Sequence, residues 1–404
     1  MKEGDLRKRA EEIHARVTTI DSHIDIKLQN FTEEVNYTQK LHTQVNLPKM
    51  VEGGLDVAWL IVFTGQRELN ATRYQEAKEI AASKFDAIER LCHEYAPDHL
   101  SLATSSEEVR QGINQGKRVV MIGVENGYPL GTDLSLLEEY HRRGARYLSL
   151  SHNGHNQLCD SNTGEANKVW IHGGLSGLGR EAVAEMNRLG IMVDVSHVSR
   201  DSMMQMVELS KCPIIASHSS ARALCNHSRN LDDEQLIALK ERGGLVQTVA
   251  FSSYLDTDKH NAREAFIREY KIQAAESLGL PYYDAADFVK LDYEQIVAFM
   301  SSRFQIQQLA DQLAADSPDA PAAVDVKDFI DHLDYLVDKM GIDQVGISSD
   351  FDGGGGVHGW QDASETINVT SELVKRGYSE AEISKLWGGN LMRILDQVEA
   401  FANS

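Results

Sequence analysis

The chain has 404 residues, of which 42% are hydrophobic and 25% charged, with a formal net charge of −21 at pH 7. This composition fits a globular chain with a large core, and the length suits a single barrel domain carrying insertions. The negative balance argues against a nucleic-acid partner, and no apolar stretch approaches the ~18 residues of a membrane span.

In chain order, residues 4–16 read as a short polar helix without an apolar signal core. That points to the cytoplasm, or to the periplasm or exterior if a signal was removed. Val17–Ile20 is the first expected strand and Leu55–Phe63 the second, the latter apolar almost throughout. Such runs suit parallel strands covered on both faces. Residues 71–95 carry a long helix. Arg118–Val124 is strand three, Leu134–Arg143 a helix and Arg146–Leu150 strand four. A helix over 179–189 is stopped by Gly190. Ile191–Val195, Pro213–Ala216, Gly244–Ala250 and Gln344–Ile347 complete eight strands. Helices alternating with strands imply parallel pairing, hence an α/β fold of the (β/α)₈ TIM-barrel type. The polar, helical stretch of about 252–321 breaks the rhythm after strand seven. It is expected to be an insertion on the active-site side of one domain spanning 1–404. Cys92, Cys159, Cys212 and Cys225 fit neither a zinc ribbon nor a disulfide framework. Gly177-Leu178-Gly179 with Ala182 matches a dinucleotide fingerprint, but no clear strand precedes it.

The chemistry sits where the strands end. His23 and Asp25 form an H-x-D pair whose side chains point the same way in a strand. Glu125 ends a buried run and needs a cation or several donors, such as a metal or an arginine. His197 and His218 end neighbouring strands, so their imidazoles can share an ion. Three histidines with Asp and Glu suit zinc or a similar ion. Five ligands exceed one tetrahedral site, and a carboxylate shared between two ions resolves the count. Glu125 lies between the two ligand groups in barrel order. Asp350 ends the last strand before Gly353–Gly356. It is a sixth ligand, a helix cap or, the reading favoured, a general base. His152 is either an oxyanion donor or a loop histidine bound to backbone. Arg229 is either a carboxylate clamp or a surface residue.

Taken together, these segments resemble the membrane dipeptidase (renal dipeptidase) family of amidohydrolase-type barrels. The matching segments are Asp21–Asp25, Gly123–Gly127, Leu150–Asn153, Gly190–His197, Ala216–Ser219, Ser228–Asn230, Gly346–Gly353 and Trp387–Ile394. The resemblance implies two Zn²⁺ per chain. His23 and Asp25 would hold one ion, His197 and His218 the other, and Glu125 would bridge. It further implies that His152 and Arg229 bind substrate and Asp350 handles the proton. The implied activity is hydrolysis of dipeptides, including those with a C-terminal D-residue, by a hydroxide between the metals. Small dipeptides are the expected partners, with a homodimer left open. The stretch 252–321 looks longer than in the animal enzymes, and the tail lacks a hydrophobic anchor signal, so a bacterial-type soluble member is expected. Alternatives are a related hydrolase of N-acyl amino acids, lactones or cyclic amides, and a metal-stabilised binding protein.

Overall fold

A computed structural model describes residues 3–284, 287, 290, 291 and 293–404. Its sheet contains β1 (Ile20–Asp25), β2 (Val57–Phe63), β3 (Leu100–Leu102), β4 (Arg118–Glu125) and β5 (Ala145–Ser149). It continues through β6 (Met192–Asp194), β7 (Ile215–Ser219), β8 (Leu245–Val249) and β9 (Val345–Ser348). The pairing order is β1-β2-β4-β5-β6-β7-β8-β9, parallel at every step, with β3 beside β4 off the main path. The ring closes by a bridge between Ile24 and Phe351, where the Asp25 N–H donates to the Phe351 carbonyl at 2.9 Å. The fold is a (β/α)₈ barrel. Because every strand runs the same way, their C-terminal ends share one mouth.

The apolar run of β2 serves two cores at once. Val57, Trp59 and Ile61 join Val119, Met121, Ile215 and Leu245 in the cluster inside the barrel. Ala58, Leu60 and Val62 face the outer cluster under the helices. Side chains alternating with period two, both faces dry, leave no place for a polar residue until the strand ends. Leu391, Ile394, Leu395 and Val398 of the C-terminal helix Asn390–Ala402 also join the interior cluster. An added methyl at Gly388, next to that helix, would meet Ile20 at 2.7 Å, so this end of the chain covers the starts of the strands.

Two strands run further than the hydrophobic pattern suggests. The first was expected at Val17–Ile20 and occupies Ile20–Asp25, and the sixth was expected at Pro213–Ala216 and occupies Ile215–Ser219. Their polar residues look like loop, but each finds a partner inside the barrel. Ser22 Oγ donates to the Ser217 carbonyl at 2.9 Å, and Asp21 Oδ1 accepts from the Ser349 amide at 3.0 Å. The pattern also passes over β3 and the helix Ser106–Asn114 that Ser105 caps. The four cysteines are free and buried. Gly179 of the fingerprint-like run has a packing role, since a methyl there would lie 2.0 Å from the Leu158 carbonyl oxygen.

After β8 come helices Ser252–Leu255, Thr257–Leu278 and Tyr293–Ala314. The two long ones share a small core of Ile267, Ala274, Ala275, Ile306, Ala310 and Ala314. The helical character expected for 252–321 is present, while residues 285, 286, 288, 289 and 292 lie outside those described. Among the described residues no helix is long and apolar enough to cross a membrane.

Met121 is fully buried in the barrel interior. Met121→Ala should lower unfolding stability by about 2–5 kcal/mol, because the surrounding strands cannot collapse onto the void. Urea unfolding of both proteins checks this.

Candidate metal centre and active site

All eight residues singled out from the sequence converge on the barrel mouth. His23 and Asp25 come from β1, Glu125 from the last position of β4, and His152 from just past β5. His197 follows β6, His218 lies in β7, Arg229 follows β7 and Asp350 follows β9. Glu125 stands at the centre. Its Oε1 lies 2.9 Å from His197 Nε2, 3.4 Å from His218 Nε2 and 4.0 Å from His152 Nε2. Its Oε2 lies 3.7 Å from His23 Nε2, which is 3.8 Å from Asp25 Oδ2. Three overlapping groups are close enough to hold an ion: His23, Glu125 and His218; Glu125, His152 and His197; and His23, Asp25 and Asp350.

The tautomers follow from what lies behind the rings. Tyr147 donates its hydroxyl proton to the Ser22 carbonyl at 2.9 Å, so at 2.9 Å it can only accept from His23 Nδ1. Ser217 donates to Asp194 Oδ2 at 2.6 Å, so it accepts from His218 Nδ1 at 2.8 Å. His197 Nδ1 faces the amide oxygen of Asn153 at 3.1 Å. In each ring the proton sits on Nδ1 and the Nε2 lone pair points inward. The Nε2 atoms of His197 and His218 are 2.9 Å apart, and His23 Nε2 is buried without a hydrogen-bond partner. Lone pairs aimed at one another across so short a gap repel unless a cation lies among them. The donor set therefore fits a metal, and the metal dependence is built into the orientation of the rings.

The electrostatics agree. Burial, reinforced by Arg229 and the neighbouring imidazoles, holds His197 and His218 well below the usual histidine range, as neutral ligands must be. Burial also lowers His152. It opposes the charge on Glu125, but His152, His23 and His197 keep that carboxyl well below its ordinary range. His23 is the exception. Burial works against its charge, yet Glu125, Asp25 and Asp350 push it up to about 9. Burial likewise pushes Asp350 up to about 8 against the pull of His23, with Asp25 and Glu125 adding.

The loop after β9 holds Asp350 in a costly backbone conformation. Asp350 and Asp352 have φ of 57° and 61°, and His197 and Asn126 at other strand ends have 69° and 76°. Four non-glycine residues in the left-handed region, all beside the cluster, mark stored strain at a functional site. The Asp350 carbonyl accepts from the amides of Gly353, Gly354 and Gly355. A methyl at Gly353 would lie 2.3 Å from both Asp25 Oδ2 and Asp350 Oδ1, so glycine lets the two carboxylates meet over the backbone.

Arg229 is buried, donating to the His218 carbonyl at 2.9 Å and lying over the Tyr254 ring at 5.5 Å. Its Nε has no partner. A cavity of about 310 Å³ opens beside it, lined also by Asn162, Trp170 and His197. Sequence reading missed the residues that aim the ligands: Tyr147, Ser217, Asp194 and Asn153. Of these only Asp194 carried a signal, as a carboxylate closing an apolar run. Lys84 was missed as well. It lies buried over the Phe63 ring at 5.4 Å, and its charge acts on Asp25.

Residues 7–404 match the family model described as membrane dipeptidase, peptidase family M19. The dipeptidase aclJ of Aspergillus oryzae is 30% identical over 98% of this chain and 81% of its own length. Dipeptidase 3 of Macaca fascicularis is 28% identical over 98% of this chain and 68% of its own. Among solved structures, the probable dipeptidase PvdM of Pseudomonas aeruginosa superposes with a TM-score of 0.79 at 33% identity, covering 98% of this chain and 99% of that one. A metallo peptidase of Rhodobacter sphaeroides, liganded with a phosphinate mimic of L-Ala-D-Ala, shares the fold. Its TM-score is 0.71 at 21% identity, over 95% of this chain and 99% of that one.

At pH 7 and without a bound ion, both His23, with a pKa of about 9, and Asp350, at about 8, hold protons. Metal uptake by chelator-stripped protein at pH 7 should therefore release roughly one to two protons, and apparent affinity should weaken as pH falls. Titration calorimetry in buffers of different ionisation enthalpy reads the count. A heat independent of buffer would contradict it.

Proposed function

The chain belongs to the membrane dipeptidase family, peptidase family M19, and is a metal-dependent dipeptidase; from that premise we propose that it uses two Zn²⁺ bridged by Glu125 to cleave dipeptides held by a free C-terminal carboxylate. The observation that carries this reading is the gathering of three inward Nε2 atoms and the carboxylates of Glu125 and Asp25 in overlapping groups. That is too many donors for one tetrahedral ion. His23 and Asp25 would hold one ion, His197 and His218 the other. Such ions, when bound, polarise the scissile carbonyl and activate water near neutral pH.

The protein's own groups do the rest. Arg229 offers a buried guanidinium whose Nε is unpaired, suited to the substrate's terminal carboxylate. That demand places the scissile bond at the C-terminal end of the substrate. His152 sits edge-on to Phe63, with ring centroids 4.6 Å apart, and donates to the developing oxyanion. Asp350 is the proton carrier. Its raised basicity suits it to take a proton from water and pass it to the leaving amine. The cavity beside Arg229 offers room for a C-terminal side chain, and the proposal includes D-residues at that position. We read 252–321 as an insertion into a single barrel domain, placed beside the mouth.

Protein purified without chelator should carry close to two metals per chain by elemental analysis. Asp350→Asn keeps size and hydrogen bonding but not a titratable proton. It should retain both ions and lose roughly 10²–10⁴-fold in kcat. Loss of metal in proportion to activity would make Asp350 a ligand instead.

A second outcome concerns Arg229. The wild type should turn over free dipeptides and leave their C-terminal amides nearly untouched, and Arg229→Ala should damage turnover far more than metal content. Equal cleavage of free and amidated dipeptides by the wild type would remove this role.

A further inference from the structure

A second arginine reaches the mouth, from the helix Tyr293–Ala314 that follows β8. Arg303 lies against the loop after β9, where a methyl on Gly354 would come 3.1 Å from its Nη2. Among the described residues its guanidinium makes no hydrogen bond or ion pair. The carboxylates whose charge reaches it include Asp350, Asp352 and Asp25. Asp352 is already taken, accepting from the Gln44 and Val45 amides at 3.0 and 3.3 Å. Asp25 and Asp350 face the ligand cluster. On its other side Arg303 lines a cavity of about 410 Å³ with Tyr282, Phe299 and Ile306. The other cations there are spoken for: Arg268 pairs with Asp284 and Lys271 with Glu264. The next residue, Phe304, packs on Lys49, with the ammonium 5.1 Å from the ring centroid, so the helix is seated on the barrel at this point.

The placement of the two arginines gives a direction. Arg229 lies over Tyr254, and Tyr254 stacks on Phe251 at 4.1 Å. A methyl on Gly354 would touch Phe251 at 2.7 Å as well as Arg303. An aromatic pair thus runs from one guanidinium to the loop that the other abuts. On the dipeptidase reading, a dipeptide with its carboxylate on Arg229 would place its amide over the Glu125 cluster. Its N-terminal residue would then extend past His23, Asp25 and Asp350, toward Gly354.

Resting on the dipeptidase reading above, we propose that Arg303 is a specificity-determining residue that binds a carboxylate on the side chain of the substrate's N-terminal residue, so that aspartyl and glutamyl dipeptides are preferred. A half-buried, unpaired guanidinium gains from such a carboxylate a fork-shaped pair of charge-assisted hydrogen bonds, which a neutral isostere cannot supply. Aspartyl and glutamyl side chains offer the same group at different reach.

The test is kcat/KM of the zinc-loaded full chain for Glu-Ala, Asp-Ala, Gln-Ala, Asn-Ala and Lys-Ala. The wild type should favour the better acidic substrate over its amide by about tenfold or more. Arg303→Gln should bring that ratio near one, and Arg303→Glu should move preference toward Lys-Ala, with metal content measured alongside. The ratio within each protein is the readout, which a general loss of structure would not reverse in sign. A wild-type ratio near one overturns the proposal even if neither variant folds. So does a ratio that survives Arg303→Gln, or an equal fall on all substrates with loss of metal, which would make the guanidinium a counter-charge for Asp350 and Asp352. If the wild type cleaves no dipeptide at all, the dipeptidase reading fails and takes this one with it. If it cleaves Glu-Ala and Gln-Ala equally, only Arg303 loses its role.

Discussion

Imidazole Nε2 atoms turned toward one another around a buried carboxylate dominate this molecule. Three imidazoles are tied by their Nδ1 atoms, leaving Nε2 atoms as close as 2.9 Å to one another and to Glu125. In a protein interior that arrangement is repulsive, and only positive charge at the centre makes it favourable. A proton on His23 is the smallest such charge, and its raised pKa expresses the same need that a divalent ion meets. The fold supplies the means. Parallel strands deliver the ligands from the same end, and Tyr147 behind His23, Ser217 with Asp194 behind His218, and Asn153 behind His197 fix each ring so that it cannot turn away.

The same geometry separates binding from proton transfer. Arg229 and the cavity beside it lie on the β7 side, while Asp350 and Asp25 lie at the junction of β9 and β1. On the proposed reading, a short peptide laid across Glu125 would meet Arg229 at its carboxylate and carboxylates near its scissile amide. The strained backbone at Asp350, His197 and Asn126 is part of the cost of holding side chains at fixed positions over a mouth that no regular strand could line.

Much of this was legible in the chain. The alternation of apolar runs with helical segments gave the barrel, because a strand buried on both faces has no freedom to be polar. The ligands were legible for the complementary reason: a His or Glu at the end of such a run has no cheap structural explanation. What escaped was of three kinds. Strands β1 and β7 extend through Asp21–Asp25 and Ser217–Ser219 because their polar groups pair with distant strands, and hydrophobic pattern carries no trace of that pairing. Tyr147 looks like any core aromatic until its hydroxyl is found against His23. Arg303 is invisible for a third reason. Its helix shows no pattern that assigns it to the mouth, and only the packing of Phe304 on Lys49 and the approach to Gly354 bring it there.

The seam between the first and last strands has a consequence for how the protein comes into being. β1 and the segment after β9 meet through the Ile24–Phe351 bridge, the Asp25–Phe351 hydrogen bond and the Asp21–Ser349 contact. Asp25 and Asp350 flank that junction, separated in the chain by most of its length. A ribosome releases the two sides of the seam far apart in time. The nascent chain can fold its middle strands early, yet the group of His23, Asp25 and Asp350 does not exist until the last strand has emerged. That end of the site is therefore completed only after the last strand has emerged, and a cation held by His23 and Asp25 would draw the two sides of the seam together.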